Sequence, residues 1–384
     1  MNKKRVLISG AGVAGIVCAL ALDKEKYDIE FVEKADSFRN IGFSIVLWKS
    51  GFELLRSLFL ARDHVLHTNK DDYAVDKFVM FGGLKIKRLR EFDARGFAWV
   101  FERQHLMEML EAELAKTFPA SAIRFGKTIS DIRIKDGAPA RVTFSDNSDA
   151  EYDLVIIAEG IYSMTRPLLF EERIISLPWR LLYGWFAKET NFLDHAGLFF
   201  TKGYVAVIHP PHVHNLLGFY FKKGAVEEDE HAFEKRVLQF VKGIRGEEIS
   251  FDVKTSKLFD LREVHLDSYS KGNVVAIGDA AHGRPPTVGF GTTLAIEDAL
   301  ALARALNKLA PKDFAAQVAP RLASFSRVRS KRVEQIYRLQ RLVHQCITDD
   351  ALKVSLIAAL SPIISRYFER KIKHFALYKL PGSI

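Results

Sequence analysis

At 384 residues, 48% of them hydrophobic, the chain exceeds one average domain and carries enough apolar material for a large core. Cys18 and Cys346 are its only cysteines, which excludes a disulfide framework or a zinc pattern and fits a reducing, cytoplasmic setting. The net charge of +9 is scattered, and no nucleic-acid motif accompanies its densest cluster, Arg327 to Arg341, so a basic surface with phosphate-binding duties is preferred to a nucleic-acid partner.

The segment Met1-Asn2-Lys3-Lys4-Arg5 runs straight into a strand with no signal peptide before it. No apolar run reaches the roughly 20 residues of a membrane span. Lys4 to Ile8 read as a short apolar strand, followed at once by Gly10-Ala11-Gly12-Val13-Ala14-Gly15. Ile16 to Leu22 continue as a helix-forming run that holds Cys18, read as a small buried residue. A second strand, Ile29 to Val32, ends on Glu33. Strand, G-x-G-x-x-G, helix, strand, acid is the dinucleotide fingerprint in its required context. Gly10 allows the tight turn, Gly12 lets a pyrophosphate approach the backbone, and Gly15 lets helix and strand pack closely. Free N–H groups at the helix start attract phosphates, and Glu33 can accept from ribose hydroxyls. This motif alone does not separate FAD from NAD.

Next come Lys34 and Arg39. Arg39 precedes the Gly42 turn and is a candidate phosphate or flavin contact, against a solvated loop arginine. Ile45 to Leu47 and Trp48 read as buried, and Gly51 to Leu60 resume a helical period. Asp76 to Val100 alternate as strands with Gly82-Gly83 as a hairpin turn. Arg103 opens an amphipathic helix, Gln104 to Lys116. The helix dipole prefers acids at that position, so a ligand anion or carbonyl explains this arginine better than helix stability does.

Ile123 to Phe144 read as strands around Asp136-Gly137. Tyr152 to Ala158 then form a buried parallel strand ending in Glu159-Gly160, with Ser163 and Arg166 following. That suits a second nucleotide contact, the carboxylate on hydroxyls or water and Arg166 on phosphate. From Leu177 to Phe259 aromatic strand runs dominate: Tyr183 to Ala187, Leu198 to Phe200, Tyr204 to His209 and Leu216 to Phe221. A helical stretch, Glu228 to Gly243, interrupts them. This reads as the wall of a substrate pocket. Phe is abundant, at 29 residues, and most are assigned to core packing. His209, His212 and His214 lack a carboxylate or Cys to complete a metal set and read as an ordinary loop.

Asn273 to Ile277 form another buried strand, followed by Gly278-Asp279-Ala280-Ala281-His282, a loop Pro285 to Thr293, and a helix Leu294 to Leu306. An Asp at a strand end can bind a polyol such as ribityl. The loop glycines expose N–H groups at a helix start, which suits a carbonyl-rich ring that gains negative charge on reduction. The strand should lie beside the first strand of the chain. The remainder is helical: Phe314 to Arg341, then Lys353 to Ile364 stopped by Pro362, then a basic amphipathic Arg366 to Tyr378. Packing on the body is preferred for the last helix, over membrane-surface docking or a lid.

Three motifs in order, Gly10 to Gly15 with Glu33, Asp153 to Arg166, and Gly278 to Gly291, resemble the FAD-dependent aromatic hydroxylases. These are the para-hydroxybenzoate hydroxylase-like flavoprotein monooxygenases. Chain length, the Trp48 segment and the helical tail look most like the branch with tetracycline-inactivating and polyketide-tailoring enzymes. The resemblance implies an α/β fold. A doubly wound FAD-binding domain (1–75, 100–176, 268–310) would interleave with a β-sheet substrate domain (76–99, 177–267), with C-terminal helices over 311–384. It implies Gly10, Gly12 and Gly15 on the pyrophosphate, Glu33 on the adenosine ribose, and Arg103 on the ribityl-phosphate side. Asp279 would hold ribityl or pyrophosphate, and the Gly291 and Thr292 amides the flavin ring. Val13, Ala14, Lys34, Glu159, Gly160, Pro286 and Gly289 complete the same cofactor set. Arg39 and Arg166 would help admit NADPH.

The implied reaction uses FAD, NADPH or NADH, and O₂ to hydroxylate an aromatic or polyketide-like molecule through a flavin hydroperoxide, in a monomer or homodimer. The cofactor does the hard chemistry, which explains the lack of a visible catalytic acid, base or nucleophile. The substrate pocket would draw on Trp48, Phe92 to Trp99, Tyr183 to Phe186, Phe219 and Pro286. Glu159-Gly160 stands where the family has Asp-Gly, Thr293 where it often has Asn, and Val46 where the tetracycline branch often has an acid. Alternatives on the same framework are a flavin-dependent reductase, such as a prenyl-chain reductase, and a ligand-sequestering flavoprotein. A halogenase is disfavoured, since no W-x-W-x-I-P segment occurs.

Overall fold

The computed structural model describes residues 3–38, 44–60, 73–84, 87–186, 195–209, 216–223, 242, 251–347 and 350–381, with 185–186 and 251–257 as backbone only. Arg39, His212, His214 and the Glu228 to Gly243 stretch, save Lys242, lie outside the described residues.

A six-stranded sheet forms the centre. Its order is Ser270–Lys271, Val274–Ala276, Leu154–Ile157, Lys4–Ser9, Tyr27–Glu33 and Ile123–Phe125, parallel throughout except for the antiparallel edge at Ser270–Lys271. Its strands read as apolar runs because both faces are covered. Alternation then decides which side each residue serves. Val6, Ile8, Leu154, Ile156, Val275 and Ile277 face the helices Val13–Ala21, Arg103–Thr117 and Gly291–Asn307. Leu7, Val155, Ile157, Val274 and Ala276 face a small antiparallel sheet built from Ile129–Arg133, Ala140–Phe144 and Asp149–Tyr152.

One expectation is corrected here. The strand that leads into Gly278 does not lie beside the first strand. Leu154–Ile157 sits between them, pairing with Lys4–Ser9 on one side and Val274–Ala276 on the other. Both crossovers still end at the same edge of the sheet, because all three strands are parallel.

A seven-stranded sheet carries the aromatic runs, in the order Phe251–Leu266, Glu172–Phe186, Leu216–Lys222, Tyr204–Ile208, Ala196–Thr201, Lys77–Gly82, Lys87–Asp93. The long Glu172–Phe186 strand shifts register between Ser176 and Arg180, across Pro178, which has no N–H to give the ladder. Ala98–Glu102 does not join the Gly82-Gly83 hairpin. A turn through Gly96, at φ +70°, redirects it to pair with Ser44–Trp48.

The C-terminal helices are Phe314–Gln345 and Ala351–Ala376. Pro362 does not stop the second, contrary to expectation. The chain stays helical through it but bends by 70° between Ala351–Ala359 and Ser361–Ala376, as the missing N–H and the ring clash require. Asp350 caps its start, accepting from the amides of Leu352 at 2.9 Å and Lys353 at 3.3 Å. Among the described residues no single helix is long and apolar enough to cross a membrane.

Candidate functional site

The glycine loop is shaped by what surrounds it. Gly10 has φ +103°, and a Cβ there would lie 2.5 Å from the carbonyl oxygen of Ala158. A Cβ on Gly15 would lie 2.1 Å from the carbonyl oxygen of Gly10. Both glycines are therefore demanded by the protein's own packing. Gly12 differs: nothing lies within 4 Å of its Cβ position, and it lines a cavity. It also starts the Val13–Ala21 helix, which has no side-chain cap and no acid in its first turn. Uncapped amides at a helix start attract anions.

Glu33 closes this end. Its carboxylate accepts from the amides of Ala11 at 2.9 Å and Ala35 at 3.0 Å, so it ties the glycine loop to the end of the second strand. Glu33 and Lys34 both line the cavity, and each carboxylate oxygen can accept a further hydrogen bond.

At the other end Gly278, at φ +60°, packs against Ala14 and Ala295, so the starts of two helices converge on it. Asp279 follows, its side chain exposed to the cavity while its neighbours Gly278 and Ala280 are buried. Burial pushes its carboxyl up from the ordinary range, against the pull of His282 and Arg103. The Arg103 guanidinium is pushed down by burial, with Asp279 opposing. The two residues thus offset part of each other's desolvation across the site. The Gly291–Asn307 helix begins beside them, again with no side-chain cap and no acid in its first turn. Gly291 and Thr292 line the cavity, and a Cβ on Gly291 would come 3.9 Å from Asp279 Oδ1.

A cavity of about 240 Å³ joins these parts. It brings together Gly10, Gly12, Val13, Ala14, Glu33, Lys34, Arg103, Glu159, Gly160, Asp279, Gly291 and Thr292. Sequence reading missed Ser9, Lys127, Thr128, Tyr162 and Met164 in its wall. Lys127 is placed by its backbone N–H, which donates to the Glu33 carbonyl at 3.0 Å, and this follows from the Ile123–Phe125 strand lying next to Tyr27–Glu33. No local motif announces that neighbour.

Other residues fall elsewhere. Gly15 is inside the helix–strand contact. Pro286 and Gly289 lie outside this cavity. A Cβ on Gly289 would lie 3.1 Å from Val46, and Trp48 Nε1 donates to the Val288 carbonyl at 3.2 Å. Thr293 is buried and accepts from the Trp48 amide at 3.0 Å. Trp48 stacks on Phe290 at 5.1 Å, Phe92 on Phe78 at 5.0 Å, Trp99 on Phe52 at 4.0 Å and Phe219 on Tyr204 at 4.5 Å. These four rings are buried core rather than open pocket wall. Tyr183 bonds to Tyr220, and burial pushes its hydroxyl up to about 12. Cys18 is fully buried, its thiol also pushed up to about 12, and is inert. Among the described residues no group of three His, Cys, Asp or Glu side chains could hold a metal.

Two sequence assignments meet a different geometry. Glu159 lines the cavity, but its carboxylate is taken up by the turn that follows. It accepts from Ser163 Oγ at 2.6 Å, the amides of Met164 at 2.9 Å and Thr165 at 3.0 Å, Thr165 Oγ1 at 2.5 Å, and Ser9 Oγ. Five donors leave little for a nucleotide. Arg166 is 2% exposed, pairs with Glu172, and contacts the Ile161 and Ala280 carbonyls. Its guanidinium is therefore buried and paired within the protein.

Behind the cavity lies a buried ionic network that sequence reading did not foresee. Asp298 Oδ2 accepts from the Gly278 amide at 2.9 Å and lies 2.6 Å from His282 Nε2, while Oδ1 accepts from Arg329 Nε at 2.6 Å. Glu297 accepts from Arg329 at 2.9 Å, Arg332 at 3.0 Å and Ser50 Oγ at 2.8 Å. The cluster clamps the Gly278 loop to the C-terminal helices.

A family model described as FAD binding domain matches residues 3–339. The 2-heptyl-3-hydroxy-4(1H)-quinolone synthase of Pseudomonas aeruginosa is 28% identical, over 88% of this chain and 88% of that protein. The FAD-dependent monooxygenase asL6 of Sarocladium schorii is 28% identical, over 79% of this chain and 80% of that one. Among solved structures, 2-methyl-3-hydroxypyridine-5-carboxylic acid oxygenase superimposes with a TM-score of 0.75 at 20% identity, covering 98% of this chain and 97% of that one. Tetracycline destructase Tet(55) does so with 0.72 at 19% identity, covering 99% and 98%. At these identities the structural likeness establishes the fold, which is that of the FAD-binding monooxygenases.

Proposed function

We propose, since the chain belongs to the FAD binding domain family, that it is a FAD-dependent monooxygenase that uses NAD(P)H and O₂ to hydroxylate an aromatic or polyketide-like small molecule. One observation carries this reading: the two uncapped helix starts, at Gly12 and Gly291, open on a single cavity with a carboxylate at each end. A dinucleotide has an anionic centre and polyol arms, which helix-start amides and carboxylates can bind. Gly12 supplies a cradle that any Cβ would fill.

In this reading the amides of Gly12, Val13 and Ala14 hold the pyrophosphate, and Glu33 takes the adenosine ribose. Asp279 takes the ribityl chain, and Arg103 balances the phosphate side. The Gly291 and Thr292 amides, with the helix dipole behind them, face the ring edge that becomes negative on reduction. Bound there, FAD supplies the redox and oxygen chemistry. The chain's own residues position the group, keep its surroundings dry and stabilise charge at the Gly291 helix start. NAD(P)H is a visiting reductant, because the sequence holds no second G-x-G-x-x-G. We place the enzyme in the cytoplasm.

The test is direct. The purified protein should show flavin absorbance or take up added FAD, and should oxidise NAD(P)H faster when an accepted aromatic ligand is present. Product formed under ¹⁸O₂ should carry one labelled oxygen. Protein that neither contains nor takes up flavin overturns the reading. Turnover without label would instead indicate a reductase, and bound flavin without ligand-stimulated oxidation a sequestering protein.

A further inference from the structure

The Ala351–Ala376 helix is held to the body along one side. Val354, Ser361, Ser365, Phe375 and Ala376 are buried. Arg90 donates to Glu369 at 3.0 Å, and Arg332 donates to the Phe375 carbonyl at 2.8 Å. The outer side carries Leu352, Leu356, Leu360, Ile363 and Tyr367. Their spacing of three or four residues puts Leu352 and Leu356 on one face of the first segment and Ile363 and Tyr367 on one face of the second, with Leu360 at the 70° bend that joins them. Their exposures are 83%, 58%, 42%, 70% and 47%. Single exposed leucines are ordinary on a protein surface, but a continuous stripe marks a surface that meets something apolar. The hairpin tip adds to it: Leu84 is exposed, and its neighbour Gly83 sits against Ala358 of the helix.

The flanks of this stripe are basic. The helix carries Lys353, Arg366, Arg370, Lys371 and Lys373 against a single acid, Glu369, which is already paired with Arg90 and Lys373. Lys353, Arg366 and Arg370 are exposed, and Lys371 lies over the Tyr367 ring at 5.6 Å. A second copy seated on the stripe would bring these like charges together. A surface of lipid phosphates would match them.

We propose that this stripe docks on an anionic lipid bilayer. The bent helix lies in the headgroup plane, with Leu352, Leu356, Leu360 and Ile363 in the acyl boundary and Tyr367 at its edge. Lys353, Arg366, Arg370 and Lys371 sit at phosphate level. The helix is placed on the surface rather than across it because Val354, Ser361, Ser365, Phe375 and Ala376, spread along its length, are buried against the body.

Flotation of the full chain with phosphatidylglycerol–phosphatidylcholine vesicles tests this, beside pure phosphatidylcholine vesicles. The wild type should float with the anionic vesicles only, and added salt should release it. Leu356→Ser with Ile363→Ser should weaken partitioning by about tenfold or more, as loss of two buried apolar side chains requires. Arg366→Gln with Arg370→Gln should also weaken it, on anionic vesicles alone. All four positions are exposed, so unchanged melting and flavin content identify folded variants. Wild type that stays unbound on anionic vesicles overturns the proposal, as does binding that both double variants retain in full. So does a lipid-free dimer that Leu356→Ser with Ile363→Ser converts to monomer, which would make the occupant a second copy.

Discussion

The carboxylate of Asp298, in the second turn of the Gly291–Asn307 helix, accepts a hydrogen bond from the backbone N–H of Gly278 at 2.9 Å. It thereby fixes the residue before Asp279 to the same helix whose first amides face the cavity. The other oxygen holds Arg329. Removing one partner of a buried ion pair leaves the other charge uncompensated. Arg329→Met should therefore cost about 3 kcal/mol of stability in urea unfolding, with Asp298 left to His282 and the Gly278 amide and Glu297 to Arg332 and Ser50. It should also release FAD more readily, because the Gly278 loop loses its support. A variant with wild-type stability would show that the network is not a clamp.

The same network sets an acid limit. Burial works against the Asp298 charge, but His282 and Arg329 outweigh it and hold the carboxyl at about 2. A folded pKa below the unfolded value gives stability that is fully present above the ordinary carboxylate range and lost as pH falls through about 2. The shift corresponds to roughly 2 kcal/mol. Asp298→Asn should be less stable than wild type at neutral pH, and the gap should narrow only below about pH 4. Unfolding midpoints of both proteins across the acid range check this. A gap that already closes near neutrality would contradict it.

Gly12 and Gly15 should respond oppositely to alanine. At Gly15 the new methyl would meet the Gly10 carbonyl at 2.1 Å, so Gly15→Ala should lose about 1–3 kcal/mol of stability with or without cofactor. At Gly12 it meets no protein atom within 4 Å. Gly12→Ala should melt like wild type as apoprotein yet bind FAD about tenfold or more weakly, a difference of ~1.4 kcal/mol. Apoprotein melting and FAD titration separate the two.

Much of the parallel sheet was legible because its strands are short apolar runs followed by glycine-rich turns. Gly10, Gly12, Glu33, Arg103, Asp279 and Gly291 could be assigned to one site for that reason. What failed was whatever depends on lateral neighbours. The alternation that buries Leu154–Ile157 does not say which strand it pairs with, so the strand before Gly278 was placed one position too close to the first. Lys127 reaches the site only through sheet order. Glu159 and Arg166 looked like ligands because charge at a strand end is the signature of a site. The same charges equally well serve a turn's own donors, or a carboxylate such as Glu172 that lies six residues on. Aromatic residues named as pocket wall, such as Trp99, carry a periodicity that does not distinguish core stacking from a ligand face.

Asp279 tests whether a functional group costs stability. Its carboxyl is pushed up by the protein atoms around it, while its side chain stays open to the cavity. Asp279→Asn removes that charge and keeps the shape. The apoprotein should be at least as stable as wild type, in the manner of stability–function trade-offs. FAD affinity should fall, because the amide cannot accept from ribityl hydroxyls with both terminal atoms. A variant that binds FAD as tightly as wild type would remove Asp279 from the site.

Arg166 offers a choice between a nucleotide contact and an internal strut. It is 2% exposed and paired with Glu172, and its guanidinium also reaches the Ile161 carbonyl across the turn that Glu159 caps. If it is a strut, Arg166→Met leaves Glu172 without its partner and costs about 3–5 kcal/mol. For a chain of this size that should lower Tm by roughly 4–6 °C. KM for NAD(P)H should stay near wild type in whatever fraction remains folded. The double variant Arg166→Met with Glu172→Met should recover much of the loss, because a buried pair replaced as a whole by apolar side chains is often tolerated. A contact with the visiting dinucleotide predicts the reverse: Tm unchanged, KM for NAD(P)H raised, and no recovery in the double variant. Melting curves and NAD(P)H saturation kinetics on the three variants decide between them.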